Sequence, residues 1–113
     1  VAFFVAYDHA EERDEKERTA VGCGGLRLLG DGVGEVKRMY VEPGRRGTGV
    51  AGRVLRTLEE WAAARDWTEL RLETGDAQPD AVRFCTRSGY TRIQNFGAYA
   101  GRDRSWCLGR RLP

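Results

Sequence analysis

Apolar residues along this chain fall into short alternating runs and one long helical stripe, separated by glycines, prolines and charge. Val1–Tyr7 (VAFFVAY) reads as a strand, and the charged Asp8–Arg18 that follows as a solvated, mobile loop, with a substrate contact as the minor alternative. Ala20–Leu29 and Val33–Val41 read as strands joined at Gly30-Asp31-Gly32, a hairpin turn in which Asp-Gly supplies positive φ. Val50, Val54, Leu55, Leu58, Trp61 and Ala62 recur at helical spacing, so a helix lays that stripe on the sheet and Trp61 belongs to the core rather than to a cofactor stack. Gln78-Pro79-Asp80 opens a second helix with proline in its first turn, and Gly89 ends it. Tyr90–Phe96 and Ser105–Leu112 complete the pattern as an antiparallel pair around a glycine-containing loop.

Composition narrows the class without naming the chemistry. The chain has 113 residues, 41% hydrophobic and 32% charged, enough for one core, so residues 1–113 are expected to form a single domain. No run is long and apolar enough to span a membrane, Val1–Ala6 is too short for a signal segment, and a cytoplasmic location is the default expectation. Cys23, Cys85 and Cys107 are odd in number and lack CxxC or His spacing, and His9 stands alone, so neither a disulfide framework nor a metal site is expected. A net charge of +2, with acids between the arginines, gives no footprint for nucleic acid.

The segment Val36–Gly52, VKRMYVEPGRRGTGVAG, carries the chemistry. An extended stretch passes through a proline and two arginines into a glycine-rich turn that opens a helix. At a helix start the first N–H groups have no intrahelical acceptor and the dipole adds positive potential, so several donors converge on one anion. Gly47 and Gly49 keep that surface bare, and Arg45 and Arg46 supply charge for phosphate oxygens, which makes the turn a pyrophosphate cradle.

Two readings of the turn compete. Gly47-Thr48-Gly49-Val50-Ala51-Gly52 is a literal GxGxxG, and Glu73 lies roughly 20 residues further on, as a dinucleotide-binding fingerprint asks. Such a strand is buried on both faces and ends almost on the first glycine. Here it carries Lys37 and Arg38, and Glu42–Arg46 intervenes. Read as Arg46-x-x-Gly49-x-Ala51, the same letters resemble the acetyl-CoA signature [Q/R]-x-x-G-x-[G/A] of the GCN5-related N-acetyltransferases, whose V-x-P strand end is matched by Val41-Glu42-Pro43.

That resemblance extends from Gly34 to the C-terminus. Glu35–Val41 looks like the family's fourth strand, Val50–Asp66 like its third helix, Leu70–Thr74 like its fifth strand, and Ala81–Tyr90 (AVRFCTRSGY) like the helix and turn that close the cofactor site. It implies an α/β (α+β) fold, a mixed and mostly antiparallel sheet with flanking helices, and transfer of an acetyl group from acetyl-CoA to an unidentified primary amine in a ternary complex. Family members usually begin with a strand and two helices before the segment that Val1–Tyr7 resembles. The sheet face those helices cover is therefore expected to be exposed or covered by a partner, a homodimer among the alternatives.

The implied site is Met39, Tyr40, Val41, Arg45, Arg46, Gly47, Thr48, Gly49, Val50, Ala51 and Gln78 for the cofactor. The family splays the two strands beside the cofactor, so main-chain groups at Met39 and Val41 would bind pantetheine like an added strand, and the N–H of Met39 or Tyr40 would face the oxyanion. Glu35 sits where family members carry a glutamate base, with Glu42 and Glu73 in reserve. Cys85 stands where the usual tyrosine donates to the departing sulfur. Cys85 as donor or acyl acceptor, Tyr99 as substitute donor, and no side-chain acid at all are the alternatives, beside a plain structural thiol. A binding module without turnover and a nicotinamide oxidoreductase remain as rival classes.

Overall fold

The computed structural model describes residues 1–8 and 19–113, so the expected charged loop lies outside the described residues apart from Asp8. The elements are β1 (Ala2–Tyr7), β2 (Ala20–Gly30), β3 (Val33–Val41), α1 (Val50–Ala63), β4 (Glu69–Gly75), α2 (Pro79–Arg87), β5 (Thr91–Arg92) and β6 (Ser105–Arg111). They form a six-stranded sheet in the order β1-β2-β3-β4-β6-β5, with β3–β4 the parallel pair and the other neighbours antiparallel. This mixed sheet matches the expected fold class and does not suit the open parallel sheet that a dinucleotide-binding reading of GTGVAG requires.

Both helices lie on one face. Val54, Leu55, Leu58 and Ala62 of α1 meet Leu26, Val36, Leu70, Leu72 and Leu108 of the sheet in one core, with Cys85 and Tyr90 packed in from the α2 side. Close approach of α1 depends on missing side chains in β2: a Cβ on Gly24 would lie 2.7 Å from the Met39 sulfur and 2.8 Å from Val54. Trp61 packs against the core and meets Trp67 edge-on at 5.4 Å, as its place in the stripe predicts.

Several boundaries differ from the sequence reading for identifiable reasons. The helix expected to reach Asp66 stops at Ala63, because Asp66 turns left-handed (φ 64) and Trp67 N–H bonds back to the Ala62 carbonyl. That is a Schellman-type stop with aspartate in the usual glycine position. Of the strand expected over Tyr90–Phe96 only Thr91–Arg92 forms. Tyr90 is fully buried, its hydroxyl donating to Glu59 (2.9 Å), while the Asn95 amide donates to the carbonyls of Tyr99 and Arg102 and curls the chain into a loop. Arg110 of β6 donates to the same Glu59 oxygen (3.0 Å) and to the Ser88 carbonyl, so one carboxylate ties α1, the end of α2 and the sheet together.

The opposite face is partly bare. Ala2, Phe4 and Ala6 of β1 pack on the core, while the alternate residues Phe3, Val5 and Tyr7 are 55%, 38% and 44% exposed.

Cys23, Cys85 and Cys107 carry free thiols. Burial pushes the Cys85 thiol up from its ordinary 9.0 to about 11, and burial likewise raises Cys107 and Tyr90. Raised values in the folded state mean that the folded protein holds protons the unfolded chain gives up. The stabilising contribution of Cys85 is complete below pH 9.0 and is lost as pH climbs towards about 11. Unfolding free energy measured in urea should therefore fall between those limits, and Cys85→Ala should make the decline shallower by roughly 2 kcal/mol at most. An unchanged slope in the variant would place the thiol in contact with solvent.

Candidate active site

The site begins with a fault in the β2–β3 ladder. Cys23 faces Tyr40 and Gly25 faces Lys37, so two steps along β2 oppose three along β3. The extra residue is accommodated at Arg38, a non-glycine with φ 57 whose carbonyl accepts a hydrogen bond from the Cys23 thiol (3.4 Å). A bulge of this kind bends its strand. On its other edge β3 pairs with β4 only at Val33–Glu69, Gly34–Leu70 and Glu35–Arg71, whereas β4 continues alongside β6 for seven pairs. The two strands part beyond Glu35, which is the splay that the family resemblance implies.

The gap is a cleft of about 350 Å³, walled by Val36, Arg38, Met39, Tyr40 and Val41 of β3, by Leu72, Glu73 and Thr74 of β4, and by Leu55, Phe84 and Cys85 from the helices. Val41, Ala51, Gln78, Ala81 and Phe84 are shared with a second, outer cleft that runs over the Arg45–Gly52 turn. Gln78 occupies the N-cap position of α2 and touches both.

The turn has the form of an anion cradle. Gly47 (φ 80) and Gly49 (φ 88) are left-handed, and a Cβ built on either meets nothing within 4 Å, so these positions border open space that a side chain would fill. The first rung of the α1 ladder runs from Arg53 N–H to the Gly49 carbonyl (3.1 Å), which leaves the N–H groups of Val50, Ala51 and Gly52 ahead of it. An extended diphosphate ester fits this surface: unpaired donors, a helix dipole, no Cβ in the way and Arg46 at the rim.

Two expected members of the cradle are otherwise engaged. Arg45 lines the outer cleft, but its guanidinium is 2.6 Å from the Asp8 carboxylate, a partner that periodicity gives no means of finding. Thr48 turns its hydroxyl back onto the Arg45 carbonyl and closes the turn instead of lining the cleft.

The proposed acid–base residues separate into two places. Cys85 is in the wall of the inner cleft, buried among apolar neighbours. Glu35 and Tyr99 come together on the face opposite the helices. Glu35 is 3% exposed and accepts the Tyr99 hydroxyl at 2.9 Å; Lys37 donates to that hydroxyl at 3.2 Å and lies 3.5 Å from the same carboxylate oxygen. The bond to Tyr99 raises the Lys37 ammonium, and burial raises Tyr99, so both keep their protons at neutral pH. Lys37 was legible as a neighbour of Glu35, two residues on along one strand face. Glu73, a reserve in the sequence reading, lines the inner cleft, and Glu35 does not. Glu42 is exposed just before the turn and stays outside the lining of both clefts.

Comparison with known proteins agrees with this geometry. A family model described as the acetyltransferase (GNAT) family matches residues 2–90. An IAA acetyltransferase from Azospirillum brasilense is 38% identical over 82 residues, which are 72% of this chain and 54% of that protein, so the chain spans about half the length of that relative. Among solved structures, one from Klebsiella pneumoniae subsp. pneumoniae MGH 78578 described as an acyl-CoA N-acyltransferase is 38% identical, with a TM-score of 0.81 over 89% of this chain and 69% of its own. An acetyltransferase of the GNAT family from Staphylococcus aureus Mu50 shares the fold at a TM-score of 0.76 and 20% identity, over 88% of this chain and 64% of its own. With a strand pair that parts beside a bare helix start, and a family model matching most of its length, this chain belongs to the GNAT acetyltransferase family.

Proposed function

We propose that residues 1–113 form the transferase domain of an N-acetyltransferase that moves an acetyl group from acetyl-CoA to a primary amine by direct attack. The observation that carries this reading is the continuity of the two clefts: a bare, donor-rich helix start leads without a break into the gap between β3 and β4. Relatives of the same fold have been crystallised with coenzyme A, from Thermoplasma acidophilum, and with acetyl coenzyme A, from Bacillus anthracis. The outer cleft would hold the diphosphate through the N–H groups around Gly49–Gly52, with Arg46 adding a charge-assisted contact. The unladdered edge of β3, including Met39 and Val41, would pair with the pantetheine amides as an added strand, and the N–H of Met39 or Tyr40 would face the oxyanion.

Glu73 is the carboxylate lining the inner cleft and takes the amine proton in this reading. A second reading keeps Glu35 as base, acting through water, because its buried carboxylate is wired to the Tyr99 hydroxyl and to Lys37. Cys85 holds its proton to about 11, which suits direct attack better than an acyl-cysteine step. With no tyrosine at that position, the thiolate leaves without a dedicated side-chain acid. Phe3, Val5 and Tyr7 form an apolar face that a second copy can bury, so a homodimer belongs to the same reading.

Two experiments test this. In calorimetric titration with acetyl-CoA, Arg46→Ala should weaken binding by roughly 1.5–3 kcal/mol. Gly49→Val should abolish binding, because a branched side chain enters the open cradle and strains a left-handed position. Normal affinity in both would remove the turn from the cofactor site, and a preference for NADH over acetyl-CoA would overturn the reading itself. In assays of thiol release, Glu73→Gln should lower kcat by about 10²-fold or more while leaving acetyl-CoA affinity unchanged. A loss of that size in Glu35→Gln instead, with Glu73→Gln near wild type, would transfer the role to the Glu35–Tyr99–Lys37 cluster.

A further inference from the structure

The inner cleft lies where two strands part, and its lining joins Leu55, Phe84 and Cys85 of the helix side to Arg38 and Glu73 of the strands, so we read it as reaching both faces of the sheet. The helix-side mouth, with Leu55, Phe84 and Cys85, is continuous with the phosphate turn, and a donor laid along that path leaves the far mouth for the acceptor. Leu72 and Thr74 are buried towards the helices, so Glu73 between them projects from the far face, where its charge also raises the neighbouring Cys107 thiol. Across the gap the bulge holds Arg38, exposed and left-handed.

Arg38 and Glu73 are the charged residues lining this cleft, one on each parting strand. The ion pairs among the described residues are Lys37–Glu35, Arg45–Asp8, Arg71–Glu69, Arg83–Asp80 and Arg110–Glu59, and neither Arg38 nor Glu73 takes part in them. A cation and an anion on opposite sides of an opening, neither ion-paired among the described residues, complement a molecule that carries both charges in the opposite order. We infer that the acceptor is a small zwitterionic amine, an amino acid or a close analogue, with its ammonium at Glu73 and its carboxylate at Arg38. A guanidinium binds a carboxylate in a bidentate manner, and the bulge fixes the backbone from which this one extends. The inference rests on the transferase reading above and adds the substrate class to it.

The test is thiol release from acetyl-CoA by the full chain with matched acceptors: α-amino acids, their carboxamides and the corresponding decarboxylated amines. The free acids should exceed their amides in kcat/KM by about tenfold or more, the size of one charge-assisted contact, with the difference in KM. Arg38→Asn removes the guanidinium but keeps a residue that tolerates the left-handed backbone, and titration with acetyl-CoA checks that it folds. In this variant the ratio of acid to amide should fall towards one, and Arg38→Lys should restore part of it. Amides or simple amines accepted as well as the acids, or a ratio unchanged in Arg38→Asn, would overturn the zwitterion assignment while leaving the transferase standing. Binding of acetyl-CoA with no release to any acceptor would overturn the transferase reading and this inference with it.

Discussion

Backbone hydrogen bonding along β3 is the constraint from which the rest of this structure follows. A strand inside a sheet satisfies its N–H and C=O groups on both edges, and an inner strand that leaves one edge open must find partners elsewhere. β3 pairs with β2 along most of its length, yet its β4 edge is laddered at only three residues, Val33, Gly34 and Glu35. The bulge at Arg38 bends β3 away while seven pairs to β6 hold β4 in place. The open edge has the period and polarity to receive an extended ligand as a further strand.

The helix packing turns that edge into a directed path. Gly22 and Gly24 let α1 settle close to β2, and its N-terminus follows the end of β3 after the turn of residues 42–49. Donors of the helix start and donors of the strand edge then form one continuous polar track along an apolar floor of Leu55, Leu72 and Phe84. Glu59, tied to Tyr90 and Arg110, fixes the far end of α1 against α2 and β6, so both walls are anchored to the same core. On the other side of the sheet Glu35, Tyr99 and Lys37 bind one another, and Glu73 lines the gap.

Much of this was legible in the sequence because it depends on local signals. The stripe from Val50 to Ala62, the Asp31-Gly32 turn and the glycines at 47 and 49 each state their conformation through residue type and spacing. Long-range pairing was not legible in the same way. No composition marks Arg38 as the extra residue of a bulge, since arginine has no preference for positive φ. Asp8 meets Arg45 across 37 positions, and only the folded sheet brings them together. The strand expected at Tyr90–Phe96 failed partly for a related reason: Tyr90 serves a long-range contact with Glu59, while Phe96 turns edge-on to Tyr99 within the loop itself. Glu35 is picked out on the family pattern and Tyr99 as a substitute donor from the last loop, but their hydrogen bond joins residues 64 positions apart.

Amide hydrogen exchange of the full chain, with and without saturating coenzyme A, tests the central claim most directly. Amides on the open edge between Val36 and Val41 and those of the turn from Gly47 to Gly52 should gain protection together, while Gly34 and Glu35, already laddered to β4, should change little. Protection confined to the turn, with the β3 edge exchanging as before, would contradict the account, because the parted strands would then have no part in holding the ligand.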